Sequence, residues 1–550
     1  MPNSLSGPSR RSFLASAAVA TAAVGGVPLL SACSGEGSRG QEGRVAEDEL
    51  QSILPTYRAS DAAVEPDIPS ENGSSPGYTR WIPDGELGVS VPEPRGGGAE
   101  LTAMTPLWGT PPRPGNPFWT AMDEAIGVRM NWRIQDGASY GEKLAATLAS
   151  SDIPDLVCIP DWNLTGQIPQ AVSSRFADLG PFLSGDKVLD YANLAAIPTE
   201  AWGPSVFGGA LRGLPQPANP LGAVAPFYRQ DIFDANGWTP PTTAREFLDF
   251  AKDITSPGNR VWACEDMKWF GGIMYGSPDW ELVDGRLVSR YETDLYLEAL
   301  EWNRSLFEAG VVHPDAIGAT GDPGVRFTAG EVMMYIGGPG GWYPLAVEQQ
   351  KSNPDFRMNA FDFFAPDGGD PVLYRDNGSR IWTFVNKNLS EDRIRAALEL
   401  ANFAAAPYGT VEQRLKQWGI EGTHYTLEDG LPVRTEQGNA QVVPESYTFI
   451  CSPQAYIAFP DLPQVVEDMA AWQQRNFGFG RDWLFGGRQI QEPARLSGIS
   501  DGFSDLEDDV SRGRASIRDL RNAVDEWRRN GGDELRDFYQ RLLDEEDGAA

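Results

Sequence analysis

The chain has 550 residues, but only two histidines (His313 and His424) and four cysteines, at positions 33, 158, 264 and 451. There is no CxxC pair and neither histidine sits in a metal-ligand motif. A zinc module is therefore excluded, and a histidine-based triad has few members to draw on. Positive charge is also scarce: 45 Lys and Arg face 77 Asp and Glu, a formal net charge of −32 at pH 7. Such a chain repels phosphate backbones and anionic headgroups. Nucleic acid is thus not expected as a partner, and any membrane attachment needs a cause other than charge. Beyond the N-terminal region, no run is apolar and long enough to span a bilayer.

What is present points to a large folded body outside the cell. With 41% hydrophobic and 11% aromatic residues the chain can bury a sizeable core, and its length calls for more than one lobe. The first residues carry an address: Ser9-Arg10-Arg11-Ser12-Phe13-Leu14 has the twin-arginine pattern. An interrupted apolar stretch, Ala15 to Leu30, leads into Leu30-Ser31-Ala32-Cys33, which resembles a lipobox. Residues 1–32 are expected to be a signal peptide, and Cys33 the lipidated residue that anchors the chain to the outer face of the cytoplasmic membrane. Residues 33–98, rich in Gly, Ser, Pro and Glu, read as a tether, with Tyr57, Tyr78 and Trp81 suggesting contact with the body.

From Leu101 the pattern is α/β. An apolar strand (101–107) precedes a helix with Asn116 as N-cap, Pro117 in its first turn and Gly127 as its stop. Val128, Met130, Trp132 and Ile134 alternate along a second strand, a helix covers about 140–149, and Leu156-Val157-Cys158-Ile159 forms a third strand. This order implies a largely parallel sheet flanked by helices, with Cys158 as a buried, inert thiol. Thr243 and Glu246 spell a capping box, Val332–Ile336 and Ile381–Val385 read as strands, and Ser390 as the cap of a further helix. A Cys264–Cys451 disulfide stays open at this level.

Several stretches resemble the extracellular solute-binding proteins of family 1, and in particular their large lipoprotein branch. They are Asn116-Pro117-Phe118-Trp119 through Gly127-Val128, Ile153-Pro154-Asp155-Leu156-Val157, and Phe227-Tyr228-Arg229-Gln230-Asp231; further on come Gly422-Thr423-His424-Tyr425 and Asp525-Glu526-Trp527 through Gly532. The resemblance implies a two-lobed periplasmic-binding-protein-like fold with a ligand cleft between the lobes. Lobe 1 would take 99–226 and 373–405 and lobe 2 would take 227–372 and 406–500. The helices of 501–550 would pack around the hinge side, with crossings near Pro226–Arg229 and Asp376–Arg380. It also implies a carbohydrate ligand, the membrane subunits of an ABC importer as partner, a monomer, and no catalytic residue, metal or cofactor, although bound calcium stays open.

Open parallel sheets bind ligands beyond the carboxyl ends of their strands, and a sugar needs flat aromatic platforms with planar polar groups at their edge. Among 17 tryptophans, those in loops after strands are the candidates. They are Trp108, Trp162 with Asp161, Trp269, and Trp342 beside Tyr343 after the glycine loop 337–341. Tyr228 and Arg229 stand at the first expected crossing, Arg380 and Trp382 at the return. The rival reading is a secreted, lipid-anchored glycoside hydrolase, since so many acids always permit a catalytic pair. A surface scaffold would show repeats or β-sandwich strands, and neither is visible.

Overall fold

Strand pairing builds two larger sheets, with five two-stranded pairings beside them among the described residues. The computed structural model describes residues 43–547 except 220, 222, 223, 319 and 494; the expected signal peptide and Cys33 lie outside the described residues. In chain order the strands of these two sheets are β1 (Ala99–Leu107), β2 (Val128–Asp136), β3 (Leu156–Pro160), β4 (Gly213–Pro217), β5 (Ala225–Tyr228), β6 (Trp262–Cys264), β7 (Val332–Gly337), β8 (Asn359–Ala360) and β9 (Ser379–Val385). The first sheet runs β2-β1-β3-β9-β4 and the second β8-β5-β7-β6. β1 is parallel to β2 and β3, whereas β9 lies antiparallel between β3 and β4. In the second sheet β7 is parallel to β6 and antiparallel to β5.

Both faces of the first sheet are covered, which is why β3 reads as an unbroken apolar run. Val157 and Ile159 point into one cluster with Trp382 and Phe384, while Leu156 points into the other. Helix α1 (Pro117–Ile126) forms as its sequence dictates. Asn116 Oδ1 accepts from Trp119 N at 3.0 Å, and Gly127 at φ 75° closes the helix in a conformation that disfavours residues with a Cβ. Helix α2 is Tyr140–Ala149. The capping box at α3 (Ala244–Ile254) is modified: Thr243 accepts from Glu246 N, but the Glu246 carboxylate reaches Thr242 rather than Thr243. Ser390 sits at the N-cap of α4 (Glu391–Ala404) without a side-chain cap bond.

From β1 onward the chain passes between the two cores three times. The first passage is 218–224, before β5 rather than within it, and the second is Asp376–Gly378. The third differs from expectation. Val442, Tyr447, Ile450 and Cys451 belong to the first core, and Ile457 is the next residue in the second. Residues 406–451 thus stay with the first lobe, because Tyr447 and Ile450 bury against its sheet, and the crossing falls at 452–456. Cys264 and Cys451 lie in different cores as free thiols, so no disulfide joins them.

The segment expected as a tether lies along the body from Gly43 onward. Leu50 and Leu54 enter the first core, and Gly77–Tyr78 pairs with Ile457–Ala458 beside the second; Gly88 then bridges to Thr410. This strap therefore touches both lobes. The last helices run from Gly502 to Asp547. They form a third cluster with the hairpin 280–289 and the helix Asp294–Glu308, in which Tyr291 stacks on Phe503 at 3.9 Å.

One buried cation stands out in the first lobe. Lys416 is 3% exposed and donates to Ala404 O at 2.5 Å, and burial pushes its pKa down from 10.5 to about 8. Below about pH 8 the folded chain must hold a desolvated ammonium. Between about 8 and 10.5 the unfolded chain binds more protons than the folded one, so stability rises with pH. Lys416→Met is expected to stabilise the chain at pH 7 by up to ~3 kcal/mol, the equivalent of this shift, with the gain shrinking by pH 10. Urea denaturation of both chains at the two pH values checks this.

Candidate functional site

The register brings one set of expected residues together. β9 runs against β3, with Ile381 opposite Pro160, so β9 starts where β3 ends. Arg380 consequently meets Asp161: its Nε donates to Asp161 Oδ2, and its NH1 lies 2.7 Å from Asp376 Oδ2. Burial raises the Asp161 carboxyl above its ordinary range, against the pull of Arg380. Asp161 Oδ1 is buried with no hydrogen-bond partner among the described residues. Beside this cluster, at the same end of the sheet, are two open indoles. Trp108 is 57% exposed with its ring tilted toward Phe449, and Trp162 is 51% exposed.

On the second lobe, Trp269 is 66% exposed on the helix Lys268–Met274 that follows β6. Lys268 Nζ pins this helix to Asp508 at 2.5 Å. β7 ends at Gly337, and beyond the glycine loop Tyr343 stacks on Phe459, with centroids 4.1 Å apart at 5°. Its hydroxyl donates to Asp461 Oδ2 at 2.5 Å, and Asp461 Oδ1 is buried without a partner among the described residues. Burial raises the pKa values of both groups, and Arg434 of the first lobe is near enough to pull both back. Arg434 itself donates to Gln417 O and rests over Trp418. Arg434, Phe459 and Asp461 carry no local sequence signal: they lie outside strand-end loops, and only the third crossing brings them near Tyr343.

Four expected contacts are corrected. Trp342 is fully buried, edge-on to Phe227 at 5.2 Å, because it opens a helix with its first side chain turned into the core; Tyr343 is the residue turned out. Trp382 is 1% exposed and donates to Ser379 Oγ at 2.9 Å, since the pleat of β9 directs it with Phe384 into the cluster beneath the sheet. Tyr228 pairs with Met334, whereas Ala225 pairs with Gly337. Tyr228 and Arg229 therefore lie at the opposite end of β7 from the carboxyl-end loops. Arg229 is a packing residue, clamped on Asp231, bonded to Phe327 O and laid over Phe356.

Two sequence features that could suggest catalysis are placed elsewhere by the fold. Gly73-Ser74-Ser75-Pro76-Gly77 matches GxSxG, but it runs into the strand Gly77–Tyr78 rather than a helix, so it is not a nucleophile elbow. His424 is fully buried, with Nδ1 accepting from Ile420 N. Among the described residues no group of three His, Cys, Asp or Glu is placed to hold a metal ion.

Comparison with known proteins yields a family and a fold. The family of bacterial extracellular solute-binding proteins matches residues 120–420. Lipoprotein LipO of Bacillus subtilis (strain 168) is 23% identical over 474 residues, covering 79% of this chain and 90% of its own length. The alginate-binding protein AlgQ2, solved without calcium ion, superposes with a TM-score of 0.59 at 11% identity, covering 83% of this chain and 99% of AlgQ2. The N-glycan transport solute binding protein NgtS from Streptococcus pneumoniae gives 0.59 at 13% identity, covering 81% and 98%. At these identities the two structures speak to the fold, which is the two-lobed one.

The division between open and buried indoles has a measurable consequence. Trp342→Ala and Trp382→Ala are each expected to lower unfolding free energy by about 3–5 kcal/mol. Trp162→Ala and Trp269→Ala should stay within about 0.5 kcal/mol of the parent chain. Denaturant titrations of the four variants distinguish the two groups.

Proposed function

The chain belongs to the bacterial extracellular solute-binding proteins, and on that premise we propose that it captures a sugar or oligosaccharide between its lobes and delivers it to the membrane subunits of an ABC importer. The observation that carries this reading is the placement of open indoles at strand carboxyl ends of both sheets, with the Asp161–Arg380–Asp376 cluster among them. Indole faces suit the apolar C–H faces of a pyranose, and the charged edge suits its hydroxyl rim. The names of AlgQ2 and NgtS, alginate-binding and N-glycan transport, support a carbohydrate. A ligand shifts the lobes toward closure only by binding the closed form better, so it must touch both lobes.

The remaining parts follow the same reading. The body is held outside the cytoplasmic membrane by acyl chains on Cys33, after export by the twin-arginine route, and works as a monomer. The name of LipO, a lipoprotein, supports the anchor. On this reading the activity is binding rather than hydrolysis; in its support, Asp161 and Asp376 are both engaged by Arg380.

Calorimetry of the purified chain against uronate oligosaccharides and N-glycan fragments is expected to find a ligand in the micromolar range, about −8 kcal/mol, with the sugar recovered intact. Trp162→Ala and Trp269→Ala should each weaken that binding about 10-fold, as loss of one stacked ring implies. Steady release of new reducing ends would replace transport by hydrolysis, and absence of heat across a broad sugar panel would end the carbohydrate reading. Cys33→Ser is expected to abolish fatty-acid labelling of the expressed protein.

A further inference from the structure

The helices from Gly502 onward are fixed to the second lobe at several points. Phe503, Val510 and Leu520 bury with Tyr296 and Leu300, Gln540 Oε1 accepts from Leu287 N at 2.9 Å, and Arg536 NH2 lies 2.5 Å from Glu292 Oε2. The first of them, Gly502–Ser511, carries two neighbouring carboxylates that both reach Lys268. Lys268 Nζ is 2.5 Å from Asp508 Oδ1 and 3.5 Å from Glu507 Oε2. Arg512 NH2 lies 3.2 Å from Asp508 Oδ2 and 3.9 Å from Asp266 Oδ2, so a second cation ties the same two segments.

These links act on the short helix Lys268–Met274 at its start. Asp266 Oδ1 accepts from Lys268 N at 3.0 Å and from Asn303 Nδ2 at 2.9 Å, and Met267 N donates to Asn303 Oδ1 at 3.2 Å. Phe270 is fully buried, and Gly271 approaches Trp302 so closely that a Cβ there would come within 3.1 Å of the indole. Lys268 and Trp269 precede these packed residues, in a first turn that frays unless something outside the helix holds it. Trp269 itself is open to solvent, so its direction follows from the backbone of that turn. We infer that Lys268 is a positioning residue: Glu507 and Asp508 grip its ammonium, and through it the C-terminal helices set the angle at which Trp269 meets the ligand. The inference rests on the reading of Trp269 as a sugar platform.

Removing the ammonium strands no charge. Glu507 Oε1 still accepts from the Tyr296 hydroxyl at 2.9 Å and from Arg290 NH2 at 3.2 Å, and Asp508 keeps Arg512. A carboxylate buried without a cation would destabilise the fold, and neither is left in that state. Lys268→Met therefore frees the first turn while the C-terminal helices stay attached. Lys268→Arg offers the same two carboxylates a guanidinium and keeps the tie.

The test joins a ligand-free measurement to a binding cycle, both on the full chain. With fluorotryptophan incorporated and the Trp269 fluorine signal assigned by Trp269→Phe, Lys268→Met is expected to shift and narrow that signal, and Lys268→Arg to leave it near its parent position. A signal unmoved in Lys268→Met overturns the positioning. In calorimetry with a uronate tetrasaccharide and a mannose-rich N-glycan fragment, Lys268→Met is expected to weaken binding about fivefold and Lys268→Arg less than about twofold. In the Trp269→Ala chain the same Lys268→Met change is expected to weaken binding less than about 1.5-fold, because the ring it positions is gone. Equal losses with and without Trp269 overturn the inference, as does an undiminished affinity in Lys268→Met. If neither sugar binds the parent chain, the carbohydrate reading fails, and the fluorine signal alone decides whether Lys268 holds Trp269.

Discussion

Antiparallel insertion of the returning strand β9 between β3 and β4 is the constraint on which the rest of the site depends. A parallel return would put the start of that strand at the far end of the sheet. Because it enters antiparallel, Arg380 arrives where β3 ends, beside an Asp161 whose carboxyl pKa is raised by burial against the pull of that guanidinium. The crossing that delivers the strand brings Asp376 to the other side of the same guanidinium. One topological choice thus builds a charged cluster at the carboxyl end of the first sheet.

The aromatic residues divide by the same geometry. On β9 the pleat sends Trp382 inward, and at the helix after the glycine loop the first residue turns in and the second out. The open indoles Trp108, Trp162 and Trp269 are those on turns and short helices just past strand ends, where no second layer covers them. Buried polar atoms add to this picture. Asp161 Oδ1 and Asp461 Oδ1 each lack a partner among the described residues, one on each lobe. Unpaired buried acceptors are costly; under the proposed function, ligand hydroxyls would satisfy them.

Between the lobes the chain does more than connect. The strap 43–98 adds a two-residue strand beside the second core and buries leucines in the first. Around the crossings Asn219 Nδ2 donates to Gly73 O and Gly487 N donates to Asn377 Oδ1, tying the strap and the segment 480–487 to them. The C-terminal helices stand apart from this, as an extension of the second lobe with an aromatic cluster of their own.

Local signals determined the individual elements. The N-cap at Asn116, the αL stop at Gly127, the alternation of β2 and the apolar run of β3 are all short-range physics, and each element forms within a few residues of where those signals put it. The resemblance supplied the two-lobed arrangement and named Arg380 at the return crossing, and the placement of Asp161 and Trp162 followed from strand-end reasoning. What only the tertiary structure decided was direction and company: which of two adjacent aromatics faces the core, and which end of the second sheet holds Tyr228. It also decided that 406–451 stays with the first lobe and that Arg434 comes near Asp461. Those outcomes depend on pairing between residues far apart in sequence. A one-residue step reverses the direction of a side chain in a strand and swings it by about 100° in a helix, and no local pattern records the partner that selects it.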